Sequence, residues 1–234
     1  MRVLRLHKWD VTISHAKQIQ ERLRGRLSFE STLSIKTLRW VGGADVSYTR
    51  GDRIFFAGVV VLSFPDLSVV EEKWASGGVS FPYIPGYLSF REAPILLMAF
   101  SRLHQQPDVV IFDGQGIAHP RGLGLAAHVG LFLDLPTVGC AKSRLVGEHR
   151  PLGKPKGSYS WLTHKTQRVG TVLRTRENVK PVFVSPGHRM SLQCSRRVVL
   201  ATCRGYRLPE PTRLAHQLVN RVRIENRRSR SIPY

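Results

Sequence analysis

Three runs rich in β-branched and aromatic residues, RWVGGADVSY, RIFFAGVVVLSF and SVVEEKWASG, follow one another between residues 39 and 77, separated only by the turn signals TRGD and PDL. Such runs bury their side chains by pairing side by side, so this stretch commits the chain to a sheet. Further on the pattern changes. A Pro/Gly-rich segment, FPYIPGYLSFRE, leads into an apolar helix, APILLMAFSRL, with Pro94 suited to a first helical turn. Then come a strand DVVIFD, a helix around GLAAHVGLFLDL, a strand PTVGCA, a basic loop GEHRPLGKPKGS, and strands VGTVLRT and KPVFVS. A helix over HAKQIQERLRGRL precedes the first strand, and a helix over EPTRLAHQLVNR precedes an arginine-rich end. Strands giving way to alternating strand and helix predict an α/β fold, a central mixed β-sheet flanked by helices. No repeat or low-complexity linker interrupts it. Residues 1–220 are therefore expected to form a single domain, and 221–234 a basic, flexible tail.

The charge balance narrows the partner. Thirty-six Lys and Arg stand against 16 Asp and Glu, a formal net charge of +20, which attracts polyanions. Nucleic acid is the leading class and an anionic membrane surface the lesser one. No stretch approaches the roughly 20 apolar residues that cross a bilayer, and MRVLRLHKWDVTIS lacks the apolar run of a secretory signal. The expectation is a soluble, cytoplasmic monomer with no membrane partner. Cys140, Cys194 and Cys203 show no metal-site spacing and read as free thiols.

Against that positive background, Asp45 lies inside the first strand run, Asp113 ends the apolar run VVIF, and Glu92 stands beside the Pro/Gly-rich segment. Each has an ordinary explanation: Asp113 before Gly114 is a turn signal, and Glu92 before Pro94 favours a helix start. Asp45 must either face outward or be compensated. Brought together by a sheet, the three would supply the hard oxygen ligands that Mg²⁺ prefers, with Mn²⁺ as a substitute, and metal-assisted phosphodiester hydrolysis needs such a set. A protein that merely holds nucleic acid has no reason to set three carboxylates against phosphate.

VGGADVSY, YIPGYLSFRE, DGQGIAHPRGLGLAAHVG, GCAKSRL and RLPEPTRLAHQL, taken in this order, resemble the endonuclease V (deoxyinosine 3′ endonuclease) family from about residue 15 to about residue 220. The resemblance implies a ribonuclease H-like fold. It also implies a Mg²⁺-dependent DNA repair endonuclease that recognises deoxyinosine and hydrolyses the second phosphodiester bond 3′ to it. Two alternatives stay open, an inosine-specific endoribonuclease and a non-catalytic nucleic-acid-binding protein.

Carried onto this chain, the resemblance makes Asp45 and Asp113 metal ligands with Glu92 completing the acidic centre. Lys142 would face the scissile phosphate, and His216 matches a position where the family carries His or Asp near the metal. Pro82, Tyr83, Ile84 and Pro85 match the family's wedge, the device that fills the gap when a nucleotide is flipped out of a duplex. Gly86, Leu88, Gly114, Gly116, Leu125 and Ala141 match or adjoin the stretches lining the base pocket. His128 reads as a core histidine, and Arg121 as a phosphate contact or a loop support. Cys140 departs from the family's usual valine.

Overall fold

The computed structural model describes residues 1–31, 33–49, 51 and 54–230, the last four by their backbone alone. The TRGD turn lies partly outside the described residues. The three consecutive runs form β1 (Trp40–Tyr48), β2 (Ile54–Ser63) and β3 (Val69–Gly78), an antiparallel meander. β4 (Val109–Phe112) and β5 (Thr137–Ala141) then join β1 in parallel. β6 (Tyr159–His164), β7 (Gln167–Leu173) and β8 (Val182–Pro186) complete an eight-stranded mixed sheet in the order β3-β2-β1-β4-β5-β8-β7-β6. Asp108 pins the frame: its carboxylate accepts from the backbone N–H groups of Arg39 and Trp40, each at 2.9 Å, so β1 and β4 start level.

Helices cover both faces, as expected from the alternation. α2 (Leu88–Ser101) and α3 (Leu125–Leu133) lie on one side, over Phe55, Ala57, Val59 and Val61 of β2 and Val110 and Phe112 of β4. The intervening residues point the other way. Phe56, Val60 and Leu62 meet α5 (Glu210–Arg230), while Val109 and Ile111 join α4 (Leu192–Ala201). This period-two division buries the middle strands on both faces and explains their near-continuous apolar runs. α1 (Ile13–Arg24) inserts Ala16, Ile19 and Leu23 beside Phe81, Tyr87 and Phe90. Among the described residues no helix is long and apolar enough to cross a membrane.

Two expected boundaries move. α2 begins at Leu88, so Pro94 sits inside the helix and not in its first turn, and Glu92 follows the helix start. Proline forfeits one helical hydrogen bond there. Burial of Phe90, Glu92, Ala93, Leu96 and Phe100 along the same helix carries it through. At the other end, α5 does not stop at residue 220: it runs on to Arg230, with Val222 buried against the sheet and the Arg221 guanidinium 2.8 Å from Glu72. The segment read as a flexible tail thus begins inside a helix. The three cysteines are free thiols, Cys140 and Cys203 buried.

Candidate active site

The parallel register places the acids. Ala44 of β1 pairs with Phe112 of β4, so the next residues, Asp45 and Asp113, emerge side by side, and the Asp113 N–H donates to the Ala44 carbonyl at 3.3 Å. Lys142 follows directly on β5, the next parallel strand. Three neighbouring strands therefore deliver Asp45, Asp113 and Lys142 to one edge, the carboxyl-terminal edge where open α/β sheets bind their ligands. The Lys142 ammonium lies 2.5 Å from Asp113 Oδ2.

α5 reaches Asp45 because the strands beneath it lack side chains. A Cβ on Gly43 would stand 2.0 Å from the Pro211 carbonyl oxygen, and one on Gly58, the β2 partner of Asp45, would stand 3.3 Å from the Ala215 carbonyl. The helix lies directly on the backbone and sets His216 over Asp45, with Nδ1 2.7 Å from Oδ2. Asn220, one helical turn on, fixes the tautomer. Its Oδ1 accepts from the Ser47 hydroxyl at 3.0 Å, which turns its amide nitrogen toward His216 Nε2, also at 3.0 Å. Nε2 therefore accepts, and Nδ1 carries the proton given to Asp45.

Glu92 comes from α2 and is buried, 8% exposed. Burial first, then the charges of Asp45 and Asp113, pushes its pKa up to about 8. Asp45 is raised in the same way by burial and by Asp113, while the bond from His216 pulls it down. The carboxylates repel one another, and a divalent cation reverses that repulsion. The donors are hard oxygens, the class suited to Mg²⁺ or Mn²⁺. Among the described residues no three His, Cys, Asp or Glu side chains are already closed into a metal-holding group; Asp113 is turned to Lys142 and Asp45 to His216.

The PYIPG segment forms a loop ahead of α2. Tyr83 is 68% exposed at its tip, its ring 5.8 Å from the Arg91 guanidinium, with Pro82 and Pro85 exposed and Ile84 half-buried. The foot of the loop is fastened at Gly86, which has φ +82°. Its carbonyl receives Gln20 Nε2 at 3.0 Å, His119 Nε2 at 3.1 Å and Arg121 Nη2 at 2.5 Å. His119 must donate from Nε2, since Nδ1 accepts the Arg121 N–H at 3.2 Å. Arg121 also bonds Gln20 Oε1 and lies 4.1 Å over the Tyr87 ring, so it supports the loop.

The residues matched to a base pocket divide. Gly86 and Leu88 flank the foot of the loop, Ala141 ends β5, and Gly114 stands within 3.5 Å of Leu125, measured to the Cβ it lacks. Gly116 is spoken for by packing: a Cβ would meet the Pro186 carbonyl oxygen of β8 at 2.0 Å. His128 is a core histidine, fully buried, bonded to Ser89 Oγ at 2.9 Å and to His7 Nε2 at 2.8 Å. Asn220 and Gln20 escaped sequence reading. The one signal for Asn220 was its place four residues after His216, on the same helix face.

Comparison with known proteins agrees with this architecture. The model of a family described as Endonuclease V matches residues 21–217. A relative of that name from Dehalococcoides mccartyi is 52% identical over 218 residues, covering 92% of this chain and 96% of its own. The crystal structure of a Bacillus subtilis Endonuclease V superposes with a TM-score of 0.93 at 30% identity, over 98% of this chain and 100% of that one. The structure of Ciona intestinalis Endonuclease V in complex with a 24mer DNA containing an inosine followed by a ribo-adenosine superposes at 0.80, with 27% identity over 91% of this chain and 98% of that one.

Proposed function

The chain belongs to the endonuclease V family, and on that premise we propose that it is a Mg²⁺-dependent repair endonuclease. It recognises deoxyinosine in DNA and hydrolyses the second phosphodiester bond on the 3′ side. The observation that carries this reading is the emergence of Asp45 and Asp113 side by side from parallel strands, with the charges of both acting on buried Glu92.

Asp45, Asp113 and Glu92 would hold the metal, which supplies a Lewis acid for the phosphoryl oxygens and lowers the pKa of the attacking water. The remaining groups position. His216, held by Asn220, donates to Asp45 and keeps that carboxylate aimed. Lys142, beside Asp113, offers its ammonium to the scissile phosphate. Tyr83 occupies the gap left by an extruded nucleotide, while Gly86, Leu88, Gly114 and Leu125 border the place where its base is inspected.

Inosine-containing RNA is a second reading. It is favoured by the ribo-adenosine following the inosine in the DNA held by the Ciona protein. Matched DNA and RNA strands carrying one inosine, incubated with Mg²⁺ and mapped to the nucleotide, separate the two. DNA cut as efficiently as RNA supports deoxyinosine as substrate; cleavage confined to RNA, or to DNA carrying a ribonucleotide after the inosine, favours the second reading.

A further inference from the structure

A cleft of about 680 Å³ opens between the end of α1, the β6–β7 hairpin and the start of α4. Arg24, Lys165 and Arg168 stand in its walls, and among the described residues no Asp or Glu lines it. Trp161 offers a flat surface, with the Arg168 guanidinium 4.7 Å over its ring. Phe29, also in the wall, is 47% exposed. Residues at the N-terminus of α4, Ser191 to Gln193, face the same space, adding the positive end of a ten-residue helix. His164, a further lining residue, has a buried Nε2 with no hydrogen-bond partner among the described residues. At one end stands His119, whose Nε2 donates to the foot of the Tyr83 loop, so the cleft adjoins the loop without including the carboxylates.

Cations with no acid beside them among the described residues, next to a half-buried tryptophan and an exposed phenylalanine, are the lining that single-stranded nucleic acid uses, phosphates on the charges and a base on the free face of the ring. An acidic peptide would satisfy the charges but leave the aromatic faces without a planar partner. We propose that this cleft is a second nucleic-acid subsite, which takes an unpaired nucleotide of the bound strand beyond the loop that carries Tyr83. The base stacks on Trp161, and the phosphate meets Lys165, Arg168 and the start of α4. This rests on the reading that the partner is nucleic acid, but it concerns grip and not the cut.

Binding is measured by fluorescence anisotropy on two single strands, one extending well past the inosine on both sides and one confined to the inosine and its nearest neighbours. Lys165→Gln with Arg168→Gln removes two exposed charges and keeps the backbone preferences similar at Lys165, where φ is +47°. The double variant should bind the long strand about tenfold more weakly, with a salt slope smaller by about 1.4, and should bind the short strand as the unaltered protein does. Trp161→Ala should weaken the long strand about fivefold or more. A photoreactive base placed beyond the inosine should crosslink within residues 161–168. Unchanged affinity of both variants for the long strand would overturn the subsite. So would equal loss on both strands, or displacement by an acidic peptide as effective as by an oligonucleotide. Failure of the unaltered protein to bind either strand would instead remove the nucleic-acid reading itself.

Discussion

His119 is held neutral by its surroundings. Burial, then the charge of Arg121, pushes its pKa down to about 4, below the ordinary 6.5. A depressed histidine binds its proton more readily in the unfolded chain, so its contribution to stability is complete above pH 6.5 and is lost as pH falls toward 4. The limit is roughly 3 kcal/mol. His119→Gln, which keeps a donor for the Gly86 carbonyl, should make stability fall less, or rise more, than in the unaltered protein between pH 6.5 and 4; His7, His128 and His188, also depressed, add slope of the same sign, and Glu92 and Asp45, both raised, add slope of the opposite sign to both proteins alike. Melting curves across that range decide it, and an unchanged slope would mean that His119 titrates normally. At this scale the acids were the legible part of the site. Asp45 and Asp113 interrupt apolar runs, where a carboxylate needs a compensating group. Gln20 and Asn220 were not legible, because a neutral amide on a helix reads as a solvated side chain until the partner that chain folding brings to it, Gly86 or Ser47, is known.

Whole elements are set against one another by contacts that leave no room. Gly43→Ala would drive α5 off β1, because its Cβ meets the Pro211 backbone within 2.0 Å. The expected cost is about 1–3 kcal/mol of stability, together with a fall in activity as His216 leaves Asp45. Denaturant unfolding and cleavage assayed side by side measure both, and a fully stable, fully active variant would show that α5 does not need its seat. The loop that carries Tyr83 makes a different demand. Tyr83 buries little, so Tyr83→Ala should leave the melting temperature nearly unchanged. It should cut activity on a well-paired inosine duplex about tenfold or more, since unstacking costs a few kcal/mol, and spare single strands. Equal losses on duplex, mismatch and single strand with a lowered melting temperature would return the ring to a packing role. The meander and the parallel strands were readable from apolar runs bounded by turns. β6, with the sequence YSWLTH, and α4, which opens LQCSRR, carry no such run and stand out only when paired with β7 or laid over β8. Pro94 misplaced the start of α2, because proline favours first turns on average, whereas burial of the preceding turn decides here.

The molecule as a whole is a strongly positive body with an acidic centre. Its binding to any DNA should weaken steeply with salt. Truncation after Asn226 removes Arg227, Arg228 and Arg230 while keeping the buried Val222, and should reduce the slope by up to about 2.7 without altering the preference for inosine over guanine. Loss of that preference would place the end of α5 in the reading of the base. Composition pointed to a polyanion partner. It could not announce that α5 continues to Arg230, because arginines in succession look alike on a helix or in a tail. The central claim is that Asp45 and Asp113 carry phosphate chemistry while other groups read the base, and it is tested most directly by measuring binding and single-turnover cleavage of one inosine-containing DNA by Asp45→Ala and Asp113→Ala across a Mg²⁺ titration. The account predicts affinity within a few-fold of the unaltered protein and cleavage lower by roughly 10³-fold or more at every Mg²⁺ concentration. Full cleavage by either variant at saturating Mg²⁺ would contradict it.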